Sequence, residues 1–207
     1  VYHLQSMKYY IVIFIALMGL FSCVSYGHTE RSITRTDTDT TVDLSGKWND
    51  ADSRIVAETI STDLVNGGWL FEFGASESRR PVVIVGNMRN ESSEHISIES
   101  FVKDIEREMV NSTRIEVVAS ALERINIRTE RVDQQDQASE ETRALIREET
   151  GADFMMIGVI TSQTDAVVGQ KVVLYQVDVE LIDIESNRKV WIGSTKIKKE
   201  IRQENIQ

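Results

Sequence analysis

The side chains in this sequence with chemical potential are a group of carboxylates, one histidine and a pair of glycines. Asp178, Glu180 and Asp183 stand at or near alternate positions in a run that changes regularly between apolar and polar. Two facing carboxylates could divide acid and base work on a glycosidic bond, but alternate strand positions facing water describe a solvated surface. His95 lacks a neighbouring histidine or thiol to complete a metal site. His3 and His28 precede any segment patterned like a folded domain. Gly67-Gly68 runs into Trp69-Leu70-Phe71, with no lysine and hydroxyl after it, so the pair is expected to end a helix rather than cradle phosphate. No dinucleotide fingerprint, Walker loop, nucleophile elbow or His-Glu-x-x-His occurs. The expectation is a protein with no catalytic residues, no metal and no cofactor.

The remaining reactive group is a thiol. Cys23 is the single cysteine, so a folded domain after it holds no disulfide and no cysteine metal site. Lys8 follows Met7, and Ile11 to Leu20 is almost continuously apolar, the order of an export signal. The run is short for a spanning helix, which needs about 20 apolar residues. It ends in Leu20-Phe21-Ser22-Cys23, which resembles the lipobox of bacterial lipoproteins, with Cys23 the residue that takes the lipid. An ordinary signal peptide or an uncleaved anchor are the alternatives. Val24, where an aspartate would retain the protein in the inner membrane of enteric bacteria, favours the outer membrane by that analogy. Residues 1–6 precede Met7 and are set aside as upstream residues. From Val24 to about Ser45 the chain is rich in Thr, Ser, Asp and Arg and poor in apolar residues, so ordering it has little to offset the entropy lost. The division expected is upstream residues and signal over 1–22, lipidated cysteine and tether over 23–43, and one globular domain over 44–207.

What must position any surface of that domain follows from periodicity. With 207 residues, 41% of them hydrophobic and a net charge of −10, the chain has room for one domain and an N-terminal extension. The acidic balance argues against nucleic acid, which selects a basic footprint, and against a polybasic lipid-binding patch. Asn49 and Asp50 can cap a helix carrying Val56, Ile60 and Leu64 as far as Gly67-Gly68. A second helix is predicted from Ser97, with Ile98, Phe101, Val102, Ile105 and Met109 on one stripe. A third is predicted from Ser139 through Leu145 and Ile146 to Gly151. Strands are predicted over Val82–Val85, Ile115–Val118, Phe154–Thr161, Val172–Ile184 and Arg188–Ile197. Tyr175, Val177, Val179 and Leu181 make a buried face, and Asn187 suits a turn with positive φ. The fold class expected is α/β: a single mixed sheet flanked by helices, ending in an antiparallel three-stranded meander.

Two stretches are candidate partner surfaces. Glu123–Arg131 concentrates cations in an acidic chain, and the loop from Arg89 to His95 follows the end of a buried strand, where such sheets often place contact loops. The candidate contact residues are Arg89, Asn90, His95, Arg124, Arg128 and Arg131. Internal salt bridges are the competing explanation for the same residues.

Several segments together resemble a known family. Ser45–Arg54, Pro81–Asn90 with Glu94-His95-Ile96, Val117–Ser120 with Glu123-Arg124, Gly151–Phe154, and Tyr175–Ile182 with Lys189-Val190-Trp191 are similar, in order and spacing, to LpoB-type activators of penicillin-binding proteins. The resemblance covers about residues 44–200. It implies a fold similar to the N-terminal domain of TolB. It also implies an outer-membrane lipoprotein facing the periplasm that docks on a bifunctional penicillin-binding protein and stimulates it without chemistry of its own. A monomer held to the membrane by its lipid, without nucleic acid, is the state expected. The best-known members carry a long proline-rich leash; here it is about 22 residues without proline. Such a coil spans roughly 25 Å on average and roughly 70–80 Å at full extension. A CsgG-like secretion-channel subunit is the alternative, and it would need further long membrane hairpins.

Overall fold

The computed structural model describes residues 32–37, 40–137 and 150–202. The chain divides into two compact units, Val1–Thr38 and Asp39–Gln207. Residues 32–37 of the first carry no helix or strand. All the elements that follow belong to the second.

Helix α1, Asp50–Asn66, begins with a capping box. The Asn49 side chain accepts from the Asp52 amide at 3.1 Å, and the Asp52 carboxylate accepts the Asn49 amide at 2.9 Å. Two amides that a helix start leaves unpaired are thereby satisfied. Val56, Ile60 and Leu64 are buried along one side, as the spacing predicted. Gly67, in extended conformation, ends α1, but the chain then enters a second helix, α2, over Gly68–Ser76. The sequence expectation had only a terminator here. Nine residues give too few turns for a helical period to show, and α2 is held by Trp69 and Leu70 going into the core. The Trp69 indole N–H donates to the Leu64 carbonyl at 2.8 Å, satisfying one of α1's last acceptors.

Strand β1, Val82–Glu91, opens with four consecutive buried residues, Val82 to Val85, as a strand covered on both faces should. It runs six residues beyond Val85 through a register shift between Val85 and Met88. Arg89 and Asn90, expected in a loop, therefore lie on β1. Helix α3, Ile98–Asn111, is capped by Ser97 and buries Phe101, Ile105 and Met109. A short β2, Glu116–Val117, follows, then α4, Ala121–Gln137.

Helix α4 departs from the expectation, which placed a connection over Glu123–Arg131. The Ser120 amide donates to Glu123 Oε2 at 2.8 Å, so the helix starts on a side-chain cap. Its apolar side chains Leu122, Ile125 and Val132 are exposed, so the core-facing stripe by which a helix is recognised is missing. The helix start expected at Ser139, with Leu145 and Ile146, lies outside the described residues.

Strands β3 (Phe154–Val167), β4 (Gln170–Asp183) and β5 (Lys189–Arg202) form the predicted antiparallel meander. The sheet order is β2-β1-β3-β4-β5, with β1 parallel to both β2 and β3. Tyr175, Val177, Val179 and Leu181 are buried on one face. Asn187 turns the β4–β5 hairpin at φ 59°. Helix α1 packs on β5 and α3, and α3 packs on β1 and β2. The core lies between these helices and the sheet.

Candidate functional site

The surfaces that could meet a partner arise at three places: the end of β1, helix α4 with its groove, and the segment leading into α1. At the end of β1, Arg89 lies 3.1 Å from Glu91. Asn90, its neighbour, is used internally. Its amide nitrogen donates to the Glu94 carbonyl at 2.8 Å. Its side-chain oxygen accepts the Ser92 amide at 3.0 Å and the Ser92 hydroxyl at 2.6 Å. That bonding shapes the turn which carries the exposed His95.

Arg124, Arg128 and Arg131 are separated by four and three positions on α4, so they share one side of the helix. Arg124 is half-buried and Arg128 exposed. The six candidate contact residues thus fall into two groups on different elements. Sequence reasoning missed the groove beside α4, about 730 Å³ in volume, lined by Arg107, Val110, Asn111, Val117, Asn126 and Ile127 among others. Its rim is tied by Lys103, whose Nζ sits 2.7 Å from Glu106 and 2.6 Å from Glu123. The hydrogen bond from Lys103, then those from the Ser120 amide and hydroxyl, hold the Glu123 carboxyl down to about 2. The same two carboxylates push Lys103 well above an ordinary lysine. The groove is assembled from α3, β2 and α4, and no single segment advertises it.

The carboxylates singled out by type are occupied in structure. Asp178 accepts from Gln176 Nε2 at 2.8 Å and Ser194 Oγ at 2.6 Å. Glu180 lies 2.7 Å from Lys189 Nζ. Asp183 accepts the Ser186 amide at 2.7 Å, a bond that lowers its pKa and fixes the β4–β5 turn. Among the described residues no group of three or more His, Cys, Asp or Glu side chains is placed to hold a metal ion.

The segment before α1 is fastened at two points, neither foreseen. Lys199 Nζ lies 2.6 Å from both Asp43 Oδ1 and Asp52 Oδ2, and donates to the Lys47 carbonyl at 3.0 Å. Trp48 donates its amide to Glu94 Oε2 at 3.0 Å and its indole N–H to Ser53 Oγ at 2.7 Å. Its ring stands edge-on to Tyr175 and Phe101, at centroid distances of 5.5 and 6.3 Å. One signal was available: Ile197, Lys199 and Ile201 share a parity on β5, which puts a lysine in register with inward positions. Burial and the Glu94 carboxylate together raise the pKa of Tyr175, keeping its phenol neutral.

Fold and surfaces together define an α/β domain whose described features are a groove beside α4, exposed charged side chains and a fastened N-terminal strap. The chain matches the family model of the peptidoglycan-synthase activator LpoB over residues 52–197, and it belongs to the LpoB family. No curated protein matches it in sequence. Among solved structures it is similar to the LpoB C-terminal domain from Salmonella enterica, at 9% identity, covering 70% of this chain and 98% of that one, with a TM-score of 0.41. The LpoB C-terminal domain from Escherichia coli aligns at 11% identity over 70% and 98% of the two chains, TM-score 0.39. Lipoprotein GNA1162 from Neisseria meningitidis aligns at 16% identity over 61% and 88%, TM-score 0.36.

Proposed function

We propose that this chain activates a bifunctional peptidoglycan synthase of the penicillin-binding-protein type, without catalysing a reaction itself. It works from the outer membrane, held there by a lipid on Cys23 and facing the periplasm. The observation that carries the reading is the family match over residues 52–197. The lipobox-like end of the apolar run at Cys23 supports the anchor. No helix among the described residues is long and apolar enough to cross a membrane. In this reading residues 23–43 are the tether and 44–207 the working domain, acting as a monomer. Arg89, Asn90, His95, Arg124, Arg128 and Arg131 are the proposed contact residues.

Regulation by docking asks little of the side chains beyond complementarity. An activator shifts a synthase toward its active state only by binding that state more tightly than the resting one. The test is direct. Adding the purified chain to its cognate bifunctional synthase should raise the rate of glycan polymerisation, with no turnover when the synthase is left out. Absence of both binding and stimulation with every bifunctional synthase of the same organism would overturn the assignment.

A further inference from the structure

From Gln163 to Val167, past the end of its pairing with β1 at Thr161, every residue of β3 is exposed. The tip of the β3–β4 hairpin is apolar where hairpin tips are usually polar: Val167 is 71% exposed and Val168 fully so. Gly169, at φ 81°, closes the turn. The strap from the N-terminal side arrives at this same end of the sheet. Ser45 shares a small cleft of about 210 Å³ with Val167, Gly169, Gln170, Lys171 and Ile201. Gly46 lies so close to Ile201 that a side chain there would collide with it. Leu44, the next residue outward, is 94% exposed.

Charge at this end opposes that of the whole chain. Among the described residues, Lys198 and Arg202 on one face of the sheet and Lys171 on the other outnumber Asp165 and Glu200 at this end, in a protein whose net charge is −10. Glu200 is itself engaged by Arg202 at 2.8 Å and Gln170 at 2.6 Å, and Lys199 is answered by Asp43 and Asp52.

We infer that the β3–β4 hairpin tip is a bilayer-contact surface, seating Val167 and Val168 among headgroups with Lys171 and Arg202 on anionic lipid. The inference rests on the reading that Cys23 is acylated. About 20 residues separate Cys23 from Asp43, and a flexible coil of that length spans roughly 25 Å. The tether therefore delivers the chain to the hairpin end and holds that end within reach of the surface. Contact too weak to bind free protein is then effective, because the local concentration of lipid is high. Apolar side chains flanked by cations are the composition of interfacial segments. The opposite pole, the Glu185–Arg188 turn, stands roughly 45 Å away along β4, and contact at the tip would turn it toward the periplasm.

The experiment uses the full chain, expressed with its signal and extracted in its acylated form, carrying either Val168→Cys or Ser186→Cys labelled with a solvent-sensitive dye. Each is reconstituted on vesicles of phosphatidylethanolamine and phosphatidylglycerol (3:1), with a fraction of spin-labelled lipid as quencher. The dye at position 168 is expected to shift blue and be quenched at least threefold more than the dye at 186. Adding Val167→Asp with Lys171→Glu should abolish the difference. Water-like emission at 168 on vesicles that carry the protein overturns the contact and leaves the anchor standing. A shift at 168 that follows protein density, or needs a second protein, overturns it in favour of another copy or a partner. Maleimide labelling of Cys23 in the unsubstituted chain, with no flotation on vesicles, overturns the contact and the anchor together.

Discussion

Lys199 Nζ lies 2.6 Å from Asp52 Oδ2, with the two side chains 9% and 6% exposed. The last long strand is thereby tied to the first turn of α1. Burial works against the lysine charge, but hydrogen bonds to Asp43 and Asp52 outweigh it and leave Lys199 above its ordinary value. Lys199→Met strands the Asp52 carboxylate in the interior and should cost about 3 kcal/mol, read as a lower urea midpoint. Combining it with Asp52→Asn should recover part of that loss. Asp43 is 44% exposed, and Asp43→Asn should cost under about 1 kcal/mol. The lysine's contribution is complete below the unfolded value of about 10.4 and fades as pH rises through the higher folded value. Asp43, lowered chiefly by its bond to Lys199, contributes above the ordinary aspartate range and is lost on acidification.

Glu123 gives a pH prediction at the other end of the sheet. Its carboxyl is held at about 2, by Lys103 first and Ser120 second. Its tie to α3 is thus complete above the ordinary glutamate value of about 4.3 and fades as pH falls toward about 2. Carboxyl carbon shifts in an NMR titration should place the Glu123 midpoint there. Lys103→Ala should raise it only part of the way, because the Ser120 bonds remain. A midpoint in the variant equal to that of a free glutamate would show that the cap contributes nothing.

Glycines separate close approach from mere flexibility. A Cβ at Gly158 would meet the Asp178 carbonyl at 2.7 Å and the Met88 sulfur at 2.9 Å. The carbonyl belongs to a paired strand and cannot retreat, so Gly158→Ala should cost about 1–3 kcal/mol. Gly68, at the start of α2, has open space around it, and Gly68→Ala should be neutral or stabilising by up to about 1 kcal/mol. Thermal melts of the two variants should move in different directions or by clearly different amounts.

The strands and the two core helices were legible because burial writes a period into sequence. Tyr175, Val177, Val179 and Leu181 alternate with polar neighbours, and Val56, Ile60 and Leu64 recur on a helical stripe. What escaped was structure held by other means. Helix α2 is short and anchored by the Trp69–Leu64 bond and by the edge contact of Trp69 with Phe154 at 5.2 Å. Helix α4 rests on a cap and exposes its apolar residues. The strap depends on Asp43 meeting Lys199, 156 positions away, a pairing no local pattern encodes. Among the candidate contact residues, charge type drew attention to the arginines of α4. Asn90 proved to be bonded within its own turn.

Cys23 can be tested apart from the fold. Cys23→Ala should leave a larger, unacylated precursor, because the thiol is the proposed acceptor and processing depends on it. Gel mobility and fatty-acid labelling read this directly. Label that persists in the variant would overturn the assignment of Cys23.

The arginines of α4 give the sharpest test of docking. Arg124 and Arg128 are four positions apart on one side of a helix, at a place where the apolar residues Leu122 and Ile125 are exposed beside them. Exposed charges at an interface act mostly on encounter rate and are screened by salt. Arg124→Glu with Arg128→Glu should therefore weaken stimulation of the synthase severalfold at low salt and much less at 0.5 M salt. The exposed Arg128 should tolerate the change within about 0.5 kcal/mol, as surface positions usually do, the half-buried Arg124 should cost somewhat more, and a melt should show the fold retained. Should the double variant instead melt well below the parent chain, the two arginines are structural and docking lies elsewhere, with Arg89 and His95 at the end of β1 the next residues to reverse. Full stimulation at every salt concentration by a stable double variant would remove α4 from the contact altogether.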